Sequence, residues 1–219
     1  MKGNGWKLHR VHGLGLSILV LAGATVLLSA PSAFAVEEGE NPHWMEGVHY
    51  LQIDDGPQFA VTSEESIAAE GEETKRFVDR NGLTTMPVRI LGMAGRGYAE
   101  GVGETVYWLD KGRPTAGSVV RGKVRGAEFP AVHEMHFHLI LTTEALPGRT
   151  FRSINPAVMV NNNATAFPPP VGSRYELKNV VELEDVEQPG VVVLRILSNK
   201  NQIVGVGRSS RLGRRPHEN

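Results

Sequence analysis

Ala131-Val-His-Glu-Met-His-Phe-His-Leu-Ile-Leu-Thr142 sets three histidines within six residues of an otherwise apolar run. In an extended strand, residues i and i+2 share a face. One face of this stretch then carries His133, Met135, Phe137, Leu139 and Leu141. The other carries Val132, Glu134, His136, His138 and Ile140. The first reads as the core face, with His133 near the rim of the sheet, and the second as solvent-facing. A strand that is apolar on one side and polar on the other belongs to an antiparallel sheet.

The same alternation of strand and turn extends in both directions. Met86–Leu91, Thr105–Leu109, Val119–Arg125, Pro156–Val160, Tyr175–Leu183, Val191–Leu197 and Gln202–Val206 read as strands, with Phe59–Thr62 and Ser66–Glu70 as shorter ones before them. Gly92, Gly95, Gly97, Gly101 and Gly103 read as turns and bulges, because none completes a G-x-G-x-x-G that opens a helix. No segment sustains a helical period. The expected fold is all-β: an antiparallel two-sheet β-sandwich or jelly-roll-like domain.

The ends of the chain have a different composition. Lys2, Lys7 and Arg10 precede an apolar stretch from Leu14 to Ala30, and Ala33-Phe-Ala35 supplies an A-x-A processing site. This is the pattern of a signal peptide, residues 1–35, cleaved after Ala35; the alternative is an uncleaved anchor. An N-terminal arm at 36–58, a β domain at 59–207 and a basic disordered tail at 208–219 complete the expected organisation. The expected location is exported, either periplasmic or extracellular. The absence of cysteine excludes disulfides, a thiol nucleophile, a Cys-ligated metal and a lipoprotein anchor. The first 35 residues hold three of the 23 basic residues and no acidic ones, so the mature chain carries 20 positive against 24 negative charges. Such a balance argues against a nucleic-acid partner. No transmembrane segment is expected after cleavage, and a protein or glycan partner remains open.

The histidines raise a chemical question. His136 and His138 lie about 6.6 Å apart along a strand, and two imidazoles at that spacing can converge on one metal. Zinc or copper would need a third ligand, from Glu134, Glu144 or a distant His43 or His49. Val119, Arg121, Lys123 and Arg125 alternate on the preceding strand, and cations there would oppose a metal. His136-Phe-His138 followed by Glu144 is similar to the first cupin motif, an H-x-H pair with a downstream Glu. Pro170-Val-Gly-Ser-Arg-Tyr175-Glu-Leu-Lys-Asn179 resembles the second, with Tyr175 in the place of its histidine. The resemblance implies a metal held by His136, His138 and Glu144. The longer gap to Glu144 departs from the motif, and the chain is not assigned to the family.

Two functions follow from these residues. The first is an exported, non-catalytic β-sandwich protein with a binding or structural role. The second is a zinc- or copper-binding protein, or a cupin-like metalloenzyme, centred on His136 and His138 with Glu134 or Glu144. Trp44, Tyr50, Tyr107 and Trp108 read as core aromatics rather than a stacking surface. Phe167-Pro-Pro-Pro170 reads as a rigid connection between sheets.

Overall fold

A computed structural model describes residues 42–207. The expected signal peptide with its expected cleavage point, the first residues of the expected arm and the expected basic tail 208–219 lie outside the described residues. Four long strands form a continuous half of the sheet: β1 (His43–Ile53), β2 (Gln58–Gly71), β4 (Thr84–Ala99) and β13 (Gln188–Val206). The other half is built from shorter strands lying end to end. These are β5 (Gly103–Leu109) with β6 (Val119–Gly122), β8 (Leu139–Thr143) with β7 (Ala131–Phe137), β9 (Phe151–Ser153) with β10 (Ala157–Ala164), and β12 (Val181–Asp185) with β11 (Arg174–Leu177). A two-residue strand, β3 (Phe77–Val78), pairs with β4. A single 3-10 turn at Glu73–Lys75 is the one helical element among the described residues.

All pairings are antiparallel, and the expected all-β, sandwich-like architecture is borne out. The two layers belong to one sheet. β13 pairs with β1 from Val206 opposite His43 to Leu194 opposite Ile53, so the 13-stranded sheet closes on itself as a barrel. Closure buries one continuous interior, centred on Leu51, Val61, Leu141, Phe151, Leu183 and Leu194. A smaller lower cluster joins Met86, Val88, Val120, Ala131 and Ala164. Phe129 and Phe167 pack against it. Phe167 thereby anchors the loop after β10 to β4 and β6; with a single sheet, the proline-rich segment does not connect two sheets as expected.

The sheet begins earlier than its sequence suggests. β1 lies between β2 and β13, so residues 43–53 belong to the domain and not to an arm. The segments Phe59–Thr62 and Ser66–Glu70 are parts of one strand, as are Val191–Leu197 and Gln202–Val206. Gly92, Gly95 and Gly97 lie inside β4: the register with β2 shifts beside Gly92, as a bulge was expected there, whereas Gly95 and Gly97 pair regularly. A Cβ at Gly95 would collide with the Tyr107 ring, and one at Gly47 with the Asn201 side chain. Both glycines are required by close approach to an interior side chain.

A line of interruptions crosses the short-strand half: residues 110–118, His138, 154–156 and 178–180. Side chains stitch it together. Ser118 Oγ accepts from the His136 amide at 2.8 Å, and the Thr115 hydroxyl donates to the His136 carbonyl. Arg113 donates to the Ser153 and Ile154 carbonyls. Asn179 donates to the Pro156 carbonyl at 2.9 Å and accepts from the Val158 amide at 3.0 Å. These bonds satisfy backbone groups that the broken ladders leave without strand partners.

Candidate functional site

The histidine strand presents its core face as the alternation requires. Met135, Phe137, Leu139 and Leu141 are buried and Glu134 and His136 are half-buried. His133 departs from expectation. It lies in the interior at 1% exposure rather than at a rim, because β7 has neighbours on both sides, β6 and β10. His138 is also buried, since it occupies the break between β7 and β8, where its Nδ1 meets Ser153 Oγ at 2.9 Å.

The proposed outer metal set does not come together. His136 Nε2 is 3.4 Å from Glu134 Oε2, while the other Glu134 oxygen lies 3.5 Å from Lys178 Nζ. Burial raises the Glu134 pKa, but His136 and Lys178 outweigh it and hold the carboxyl below its usual range. Lys178 thus already supplies the cation that this carboxylate attracts. Glu144 accepts from the Glu104 amide at 2.8 Å, far along the sheet. Tyr175 meets His133 at 2.7 Å, on the opposite face from His136. Among the described residues, no group of three or more histidine, aspartate or glutamate side chains is placed to hold a metal.

The polar chemistry gathers inside the barrel. Glu65, 4% exposed, faces Gly95 across β2–β4, and Tyr107 faces Gly95 across β4–β5. With no side chain at Gly95, Tyr107 reaches over it and donates to Glu65 Oε1 at 2.6 Å. Ser63 Oγ donates to the same oxygen at 3.3 Å, as does Asn199 Nδ2, and Asn201 Nδ2 donates to Oε2 at 2.7 Å. Burial, and then the Glu65 carboxyl, push the Tyr107 hydroxyl well above its usual pKa, so it remains a donor. Four donors on one carboxyl satisfy it without a cation.

Three interior histidines are less complete. The Nε2 atoms of His43, His49 and His133 are buried and have no hydrogen-bond partner, and neither do the side-chain oxygens of Asn199 and Asn201. Each such orphan costs about 1–3 kcal/mol unless something satisfies it. Burial drives the pKa of His49 down to about 4 and that of His133 to about 4, the latter with a contribution from His43. All these atoms line two interior cavities or lie beside them. The middle one is also narrow, with room for about one water-sized occupant, and is bounded by His49, Glu65, Tyr107, Phe137, Met159 and Asn199. The lower one has room for about a single water-sized occupant and contains His43, Met45, His133, Met135 and Tyr175.

In fold, the chain is similar to DynF from the dynemicin biosynthesis pathway of Micromonospora chersina. The two share 15% identity with a TM-score of 0.61, over 78% of this chain and 82% of that one. At that identity the likeness is one of architecture. No family model matches the chain, and no curated protein does. No helix among the described residues is long and apolar enough to cross a membrane.

Sequence reasoning did not find this interior site. Its residues sit on strands that were split or discarded because their inward positions are polar. Two signals were available: the i, i+2 pair Ser63/Glu65, in register with Val61 and Ile67 of the same face, and the pair Asn199/Asn201, in register with Ile203.

Proposed function

We propose that this protein is exported and acts by binding, without catalysis, a small ligand in the middle cavity of the barrel. The observation that carries this reading is the pair of unpartnered polar atoms, His49 Nε2 and Asn199 Oδ1, in an apolar space inside a closed barrel. Small barrels fill their interiors with side chains or hold one small ligand, and a few convergent polar groups set its orientation. A ligand carrying a hydroxyl or amine on a compact apolar body would satisfy Asn199 Oδ1 and recover the cost of burying it. The composition of residues 1–35 supports export.

Phenol and benzene, either of which must push the lining side chains apart to enter, are suitable probes. Phenol should bind saturably and more tightly than benzene, because only phenol can donate to the waiting oxygen. His49→Phe, which fills the space, should abolish both. Calorimetric titration of the mature protein measures this, and its intact mass should place the N-terminus at Val36. If neither probe binds, or if His49→Phe binds both unchanged, the cavity reading fails.

A further inference from the structure

The lower cavity is separate from the middle one and has a different chemistry. Two i, i+2 pairs face each other across the interior: His43 and Met45 on β1, and His133 and Met135 on β7. All four side chains are at least nine-tenths buried. Both Nε2 atoms are unpartnered, whereas the other ring nitrogens are held. His133 Nδ1 is 2.7 Å from the Tyr175 hydroxyl, and His43 is hydrogen-bonded to the Pro169 backbone. Fixing one imidazole nitrogen with an outer hydrogen bond and leaving the other bare is how metal-binding histidines are commonly oriented.

From this arrangement we propose that the lower cavity is a buried site for one monovalent copper ion, ligated by His43 Nε2, His133 Nε2 and the thioethers of Met45 and Met135. Thioethers are soft ligands that select Cu(I), and imidazole suits copper equally well. The ligand set is wholly neutral. The acid beside Met45, Glu65, has its oxygens committed to Tyr107, Ser63, Asn199 and Asn201. Desolvating an ion without a counter-charge is costly, and the cost grows steeply with charge, so a single positive charge is favoured over two. The remaining walls, Ile67, Ala69, Phe167, Pro169 and Ile203, are apolar and keep water out.

The test is an anaerobic competition titration of the mature protein against a chromophoric Cu(I) chelator, with Zn(II) in parallel. One equivalent of Cu(I) should leave the chelator, and Zn(II) should not bind at this site. Met135→Leu, which keeps the core volume, should weaken Cu(I) binding about tenfold or more. His133→Leu should weaken it further, and His136→Ala should leave it unchanged. X-ray absorption of the loaded protein should show both nitrogen and sulfur around copper. Retention of all copper by the chelator would overturn the proposal, with far-ultraviolet circular dichroism confirming that the protein is folded. So would binding that survives Met135→Leu undiminished or disappears in His136→Ala. Phenol binding in the middle cavity is read independently, so either site can fail without the other.

Discussion

Phe137→Ala is expected to destabilise the protein by about 3–5 kcal/mol, the cost of deleting a buried aromatic ring and leaving a void. Phe137 is 5% exposed and forms a wall of the middle cavity, so its loss enlarges a space that already exists instead of letting neighbours collapse. His138→Ala, one residue on, removes a hydrogen bond to Ser153 and should cost about 1 kcal/mol. Urea unfolding of the two variants measures both. Equal losses would mean that the two side chains do not lie on opposite faces of the strand.

Acidification should produce the second large effect. Burial holds the His49 pKa at about 4, against 6.5 for the free side chain. Between these values the unfolded chain takes up a proton that the folded protein refuses, so stability falls as pH drops from 6.5 and levels off below about 4. The full difference corresponds to about 3 kcal/mol for this one residue. His49 packs edge-on against Tyr107, with ring centroids 5.6 Å apart, and shares its cavity with Glu65 and Asn199. No cation is among the side chains lining that cavity. Denaturation midpoints from pH 7 to pH 4 should therefore fall less steeply for His49→Phe than for the unaltered protein. Parallel profiles would show that His49 does not carry the effect.

The fold was legible wherever strand faces were cleanly apolar. The alternation from Met135 to Leu141 marks a core face correctly because every inward position on that stretch is hydrophobic. The same rule failed for β1, whose inward positions include His43 and His49, and for the centre of β13, where Asn199 and Asn201 point inward. Hydropathy scores such residues as solvated, yet here hydrogen bonds to Glu65 keep the two asparagines inside. Glycines misled for a related reason. Gly95 looks like a chain reversal but is the gap through which Tyr107 reaches Glu65. The outer histidines drew attention because they are adjacent in sequence. The interior ones come from strands about 90 residues apart, and only barrel closure brings β1 opposite β7.

Closure also decides how another macromolecule can approach. Each described strand longer than two residues has a neighbour on both sides along part of its length; one-sided stretches remain at strand ends, such as Gln58–Val61 of β2, and in the part of β4 around Arg89–Met93 that faces the 110–118 loop. An open sandwich would leave edge strands whose amides and carbonyls could template a further strand from a second chain. Here most of those groups are already spent on the ring itself. Recognition of this protein by a partner must therefore be written in side chains and loop tips rather than in main-chain ladders. The same economy of free backbone protects the barrel from growing, copy upon copy, into fibres.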